Sequence, residues 1–556
     1  RILSARLATQ TPQQRRDTLT AMVTATAAAV LAHPDPAALD PDLAFKDLGI
    51  DSLTALELRN TINQQTGLTL PATLALDHPS PAALAAYLAD LLTDTAAPAV
   101  PAAEVSTPGD EPVDDRLAYL DQASFLALRA VHGSLLQVTW IYDRAVDLDG
   151  LRRFHRNLGS GLLGRRIERA LLPFARDRWV LSPASADIDI AATPRSRADV
   201  TAWADERGRV PIDPEWGPGW HLGVLPLEGG GTAVSLVASH TLVDAMAFAH
   251  AITDAAEGRT HNLGYSTAGS RTRRQALRED LRQTVKDLPD VARALGAVAR
   301  RARRDREELK SSIQAAPPSA RTASGDPTVQ LPALTGYVDL AEWDARAKSL
   351  GVASNSLAAG IVCRLAVRAG RVRDDGTVTL RFMLSLRTAN DTRANALTNV
   401  DVTVDPTHAA TDLREMQLKI TRAILAAMED SNDDFAAPLP LAAMTPKLVA
   451  RKLAGMAVGG GSLPVTCSNL GDLPPAANRP DGTDAVYLYM RSIEPDIKKS
   501  TLEAMGGQLF LASGRGHGKI FFRVVGYLPG KPNTIDWLRE IVSRTFAEFD
   551  LTAEID

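Results

Sequence analysis

The sequence predicts a multidomain chain, with a small all-α four-helix bundle followed by a larger α/β body. Three observations lead there. Apolar residues recur at helical spacing within the first 92 positions, residues 94–111 carry almost no large apolar side chains, and from about residue 114 β-branched runs alternate with helical stretches. At 556 residues the chain exceeds one simple domain and has room for three or four structural units.

Taken in order, residues 13–33 read as a first helix, with Leu19, Met22, Val23, Ala27 and Val30 forming its stripe. A second helix runs from 52 to about 65, where Gly67 stops it. A short turn or helix follows Pro71. Pro81 stands where a missing N–H costs nothing and opens the last helix, through residue 92. The Ala/Pro/Thr/Glu stretch that follows, placed at 93–112, is a flexible linker able to reach of order 50 Å when extended.

Beyond the linker, 135–142 and 232–238 read as strands, and 151–158 and 245–252 as helices. Residues 270–312 form a charged helix with Leu277, Leu281, Val285, Leu288, Val291, Leu295 and Val298 at helical spacing. Arg300, Arg301, Arg303 and Arg304 on it fit a solvated face better than a phosphate site. After a Pro/Ser/Thr-rich break at 312–329, the α/β pattern resumes at 338–350, 355–369, 377–386, 400–404, 410–428 and 520–527. The expected division is one lobe at 113–265, a helical and loop connection at 266–330, and a second lobe at 331–556.

Apolar content of 45%, charged content of 23% and a formal charge of -5 are ordinary for globular material and give no electrostatic case for nucleic acid. Cys363 and Cys467 lack a pairing or metal-ligand pattern and fit a reducing compartment, so a cytoplasmic location and no metal are expected. No run of about 18 apolar residues suggests a membrane span. The first residues, Arg1-Ile2-Leu3-Ser4, carry neither a start methionine nor a leader core, which reads as a fragment of a longer protein ending at Asp556.

The most informative pentad is Gly49-Ile50-Asp51-Ser52-Leu53. Asp51 can cap the second helix and Ser52 opens its first turn, where free N–H groups and the helix dipole favour a phosphate. Ordinary helix starts share that pattern, so the surroundings decide. The run from Phe45 to Asn60, then Leu70-Pro71-Ala72-Thr73 and Asp77-His78-Pro79-Ser80-Pro81, resembles the acyl carrier domain of an actinobacterial modular polyketide synthase over the first 92 residues. That resemblance implies a 4'-phosphopantetheine arm on Ser52, installed by a phosphopantetheinyl transferase, with Asp51 and Leu53 in carrier recognition. Upstream polyketide synthase domains are the implied partners.

A second landmark is Ser239-His240-Thr241-Leu242-Val243-Asp244-Ala245, at the end of a strand-like run. Acyl transfer from a thioester needs a base near neutral pH, which imidazole supplies. A histidine at a strand end is by itself more often structural. Here the motif resembles the His-His-x-x-x-Asp-Gly signature of the condensation superfamily, which implies a two-lobed, chloramphenicol-acetyltransferase-like fold with a channel between the lobes. His240 falls on the catalytic histidine and Asp244 on the structural aspartate. Ser239 replaces the first histidine, and Ala245 replaces glycine. Within the superfamily, the look is towards wax ester synthase/diacylglycerol acyltransferase and polyketide-associated acyltransferases. That look rests on Leu120-Asp121, Phe125-Leu126-Ala127-Leu128, Pro218-Gly219-Trp220, Ser385-Leu386-Arg387 with Asn399, and Ser468-Asn469-Leu470-Gly471.

Together these resemblances imply a terminal offloading acyltransferase. His240 is the expected base, Ser239, Asp244 and Arg387 its support, and Ser468 or Asn469 candidate oxyanion or substrate contacts. The donor is an acyl or polyketide thioester, and the acceptor a small-molecule alcohol giving an ester. Amide formation with an amine, hydrolytic release, and a noncatalytic docking or gating domain are the alternatives. A lipid-like product would bring the protein to the membrane periphery.

Overall fold

The structure is a computed structural model. It describes residues 10–94, 114–304 and 327–555, except 32–34, 36–38, 46, 49, 51–54, 56–57, 60, 63–65, 67–69, 71–73, 131–133, 183–186, 389–390, 430–437, 442–463, 494–496 and 505. By contact density the chain divides into two units. One comprises Arg1–Pro112, Asp344–Leu357 and Thr411–Asp430, and the other Val113–Trp343, Ala358–Ala410 and Ser431–Asp556.

In the N-terminal bundle, α1 (Pro12–Val30), α2 (Leu74–Asp77) and α3 (Pro81–Asp94) accompany helical residues between 55 and 66. Leu19, Val23 and Ala27 of α1 share one core with Leu58, Ile62, Leu84 and Leu88, all fully buried. That is the i, i+4, i+8 stripe of an amphipathic helix meeting its counterparts. Pro81 takes the first helical position of α3 while the Ser80 hydroxyl accepts from Ala83 N at 3.2 Å, a capping serine beside an N-terminal proline. The 93–112 linker lies largely outside the described residues.

The remaining helices are α4 (Tyr119–Ala130), α5 (Leu148–Leu158), α6 (Val200–Gly208), α7 (Ala245–Ala256), α8 (Arg273–Arg304), α9 (Leu340–Ser349), α10 (Ser354–Ala369), α11 (Arg414–Glu429), α12 (Lys499–Ala504) and α13 (Ile535–Glu548). The first strands are β1 (Leu135–Tyr142), β2 (Arg165–Glu168), β3 (Arg178–Leu181), β4 (Asp189–Ile190), β5 (Trp220–Pro226) and β6 (Thr232–Ser239). They are followed by β7 (Thr328–Val329), β8 (Ala333–Asp339), β9 (Val378–Ser385), β10 (Leu397–Val404) and β11 (Val465–Asp472). Last come β12 (Tyr487–Ile493), β13 (Ile497–Lys498), β14 (Gln508–Gly516), β15 (Lys519–Tyr527) and β16 (Glu554–Ile555).

Two mixed sheets organise the larger unit, in orders β12-β1-β6-β5-β4 and β10-β9-β11-β14-β15-β8-β16. β1 and β6 are buried along their whole length. On β1, Leu136, Val138 and Trp140 supply the apolar core while the alternate positions Gln137 and Thr139 put buried polar groups on the other face. The expected split of lobes by sequence meets one difference. β12, from residues 487–493, pairs with β1 and completes the first sheet, so a strand from the last part of the chain covers an edge that β1 would otherwise expose.

Helix α8 also departs from the usual amphipathic orientation. Its acidic face is tied inward, Asp280 to Arg116 at 3.0 Å and Asp287 to Arg176 at 2.9 Å. Its apolar stripe faces out, with Leu281 and Val285 each 57% exposed. Ion pairs rather than apolar burial therefore fix its rotation about its axis. Among the described residues no helix is long and apolar enough to cross a membrane.

Candidate acyl-transfer site

β6 carries the chain to Ser239 inside the sheet, and a turn follows, with Leu242 N donating to Ser239 O at 2.9 Å. His240 is the first residue out of the strand and is partly exposed. Its backbone is held on both sides: its N–H donates to Ser134 O at 3.0 Å, and its carbonyl accepts from Asn395 Nδ2 at 3.4 Å. Among the described residues its imidazole ring makes no hydrogen bond. His221 is different. It is buried on β5, both ring nitrogens meet Arg207 at 3.0 and 3.1 Å, and burial together with the Arg207 charge pushes its pKa down to about 4. His221 is a structural histidine, whereas His240 keeps its ring available.

Asp244 performs two tasks. As N-cap of α7 its Oδ1 accepts from Ala247 N at 2.7 Å, and its Oδ2 accepts from Arg387 Nη2 at 2.7 Å and Ala396 N at 2.9 Å. Arg387 and Asp244 side chains are 4% and 5% exposed, so this ion pair is shielded from water. Arg387 also donates to the carbonyls of Asp391, Arg393 and Ala394, which folds the 391–396 loop against the histidine turn. Ala245 is the first residue of regular helix, so its methyl meets no demand for left-handed backbone. The buried Ser239 hydroxyl accepts from Thr241 N at 3.3 Å, a small local bond that steadies the turn.

Three residues complete the scaffold that motif reading left without a role. Asp121 of α4, fully buried, accepts from Ala394 N at 2.9 Å and Asn395 N at 2.7 Å. Burial pushes its carboxyl pKa up, against those two N–H groups and the Arg165 charge. Arg165 of β2 lies 3.8 Å over the Trp179 ring and donates to Thr392 O at 2.5 Å and Leu242 O at 3.1 Å, bridging the two loops; burial lowers its pKa. Asn395 reaches the His240 carbonyl. The Leu120-Asp121 dipeptide was a visible signal for the first of these. Nothing local marks Arg165 or Asn395.

Ser468 and Asn469 sit on β11 in the second sheet, where the side-chain Oδ1 of Asn469 accepts from Gly471 N at 2.9 Å, a local turn bond. Cys363 and Cys467 are buried and free, and burial pushes both thiols up to about 12, far from nucleophilic thiolates. In the bundle, Asp51, Ser52 and Leu53 lie outside the described residues. Ile50 N donates to Phe45 O at 2.8 Å, and buried Ile50, Leu58 and Ile62 anchor both sides of the 51–54 segment on the core.

Comparison with known proteins adds an independent line. Residues 22–88 match the family model described as phosphopantetheine attachment site. The chain is similar to the spectinabilin polyketide synthase system protein NorA' of Streptomyces orinoci, 56% identical over 90 residues, which are 16% of this chain and 2% of that protein. It is also similar to the phenolphthiocerol synthesis polyketide synthase type I Pks15/1 of Mycobacterium marinum, 47% identical over 95 residues, 17% of this chain and 4% of that one. The chain thus spans a few per cent of the length of these relatives. Among solved structures, it is similar to the first condensation domain of the calcium-dependent antibiotic synthetase, with TM-score 0.48 and 15% identity over 78% of this chain and 96% of that one. For polyketide synthase associated protein 5 from Mycobacterium tuberculosis the TM-score is 0.47 at 12% identity, over 80% and 99%. The family match makes residues 22–88 a phosphopantetheine carrier domain similar to those of polyketide synthases, borne on one chain with an α/β domain of two mixed sheets.

Proposed function

We propose that this chain is the offloading end of a polyketide synthase: a carrier domain at 1–92, a linker at 93–112, and an acyltransferase domain at 113–556 that moves the carried acyl chain to an acceptor hydroxyl, forming an ester. The phosphopantetheine group, borne on Ser52, supplies a thiol that holds the acyl chain as a thioester. Asp51 and Leu53 frame that serine for the transferase that modifies it.

The observation that carries the reading is the contrast between a fully braced histidine turn and an imidazole that makes no hydrogen bond among the described residues. Five side chains fix the backbone around His240, and none uses its ring. Such bracing positions a base within hydrogen-bond reach of a substrate proton. His240 takes the proton of the acceptor as the acceptor oxygen attacks the carbonyl carbon, then returns that proton to the departing sulfur. Asp244 and Arg387 hold the turn. Ser239 steadies the turn from within. Ser468 and Asn469 are assigned as donors to the developing oxyanion, a role that needs their donor atoms near the position of the new charge.

The acceptor is tested by competition. The chain, loaded with an acyl group on its own carrier, is supplied with alcohol, amine and water together, and the released product is identified by mass. Ester as the main product supports this reading. Amide or free acid as the main product assigns the domain to condensation or hydrolysis instead, and no release assigns it to docking or gating.

A further inference from the structure

The α/β domain holds a cavity of about 710 Å³ with a polar composition out of keeping with a pocket for a purely apolar chain. Among the described residues its walls include Arg209, Arg491 and Arg523 against a single acid, Asp205. Arg491 of β12 is the most enclosed of these, its side chain 1% exposed, with Nη2 2.6 Å from Asp205, whose own side chain is 34% exposed. Arg491 Nε donates to Gln137 Oε1 at 2.5 Å. Gln137 cannot turn away, because its Nε2 donates to Ser235 Oγ at 2.7 Å and Ala204 O at 2.8 Å. Arg523 of β15 donates to Thr335 Oγ1 at 3.1 Å, and its Nε makes no hydrogen bond among the described residues. Next to Arg491 in the sheet, the buried hydroxyls of Tyr489 and Thr139, which face one another across β12 and β1, likewise find no hydrogen-bond partner among the described residues.

Polar atoms that are buried and unpaired cost free energy unless something meets them. Two guanidinium groups share one partly solvated carboxylate here, and burial together with the Arg491 charge holds the Arg523 pKa down to about 9. An anion between them would satisfy both. The cavity is also placed for it. Arg491 pairs with Gln137 and Gln137 with Val237, so the arginine lies two strands across from the run that ends at His240. Ile493, another wall residue, pairs with Leu135, which pairs with Ser239, and so brings the cavity to the end of the sheet where the histidine turn leaves it. Phe510 and Val525 give the same cavity an apolar wall.

We propose that this cavity recognises an oxyanion, a carboxylate or a phosphate, on a reactant brought to His240, with Arg491 and Arg523 as its binding residues and the apolar wall taking the adjoining carbon chain. The proposal rests on the acyl-transfer reading and names a chemical class for what that reaction uses. It makes Asp205 the competitor that occupies Arg491 when the anion is absent.

The test is calorimetric titration of the full chain with two matched pairs: 3-hydroxybutanoate against its methyl ester, and 4'-phosphopantetheine against pantetheine. Binding at least about tenfold tighter for the anionic member of a pair is expected, the scale of a charge-assisted hydrogen bond. Preference within the first pair assigns the anion to a reactant carboxylate, and preference within the second to the phosphate of the arm. Arg523→Met should abolish the preference, and Asp205→Asn, a change at a partly exposed side chain, should increase it. No preference in either pair, or a preference that Arg523→Met leaves intact, overturns the proposal. The same titrations on His240→Ala need no turnover, so loss of acyl transfer and loss of anion recognition are told apart.

Discussion

In the N-terminal bundle the residues read as functional fall in one unbroken run, Gly49 to Leu53, whereas the His240 turn is held by side chains from positions 121, 165, 244, 387 and 395. The bundle is stabilised by a stripe of small and medium apolar residues, and Ile50, next to the run read as functional, is tied to Phe45. The larger domain instead shields the Asp244–Arg387 ion pair and the hydrogen-bonded Asp121 carboxylate to position one turn. A covalent tether needs only an accessible hydroxyl at a helix start. Proton transfer needs a base carried on a firmly held backbone, and around His240 that hold is drawn from residues far apart in the chain.

This contrast can be broken experimentally, beginning with the largest effect. Ser52→Ala should abolish gain of a phosphopantetheine on incubation with a transferase, read by intact mass, while a soluble acyl-pantetheine thioester is still turned over by the α/β domain. Modification of another serine would break the carrier assignment at residue level. Next, Arg387→Ala should leave Asp244 as a buried charge without its partner and cost about 3–5 kcal/mol. The loss should appear in the unfolding transition of the α/β domain and in faster amide exchange along α7, with α1 unaffected. An unchanged transition would mean that the Asp244–Arg387 pair is not what holds the loops.

The third effect depends on pH. His221 is held neutral in the folded state, its pKa down to about 4 against an ordinary 6.5. Between those values the unfolded chain binds the proton and the folded chain does not. Stability is therefore full above about pH 6.5 and falls by about 3 kcal/mol as the pH drops towards 4. His221→Gln should flatten that part of a denaturant-midpoint profile. The smallest effect belongs to the bundle: Ser80→Ala removes the cap of α3 and should lower carrier stability by about 1 kcal/mol without touching the other domain.

How much was legible in advance follows from the same difference. Leu19, Val23 and Ala27 announce α1 by spacing, Pro81 announces α3, and the strand–turn–helix around His240 could be placed because Asp244 both ends the turn and caps α7. Arg387 enters as support for His240 only through the resemblance, because the 143 residues that separate it from Asp244 carry no local sign of their meeting. Arg165 and Asn395 were invisible for the same reason. β12 could not be assigned to the first sheet, since a strand's sequence states its faces but not its neighbours. The stripe on α8 has the spacing of a core face, and only the ion pairs of Asp280 and Asp287 turn it outward.

The central claim is that His240 moves the proton of acyl transfer, and single-turnover release from the chain's own loaded carrier tests it most directly. With His240→Ala, loading at Ser52 and the unfolding profile should match the unaltered protein, while the release rate falls by about 10²–10⁴-fold, the contribution expected of a positioned acid–base group. Release at the unaltered rate from a folded, loaded His240→Ala chain would contradict it.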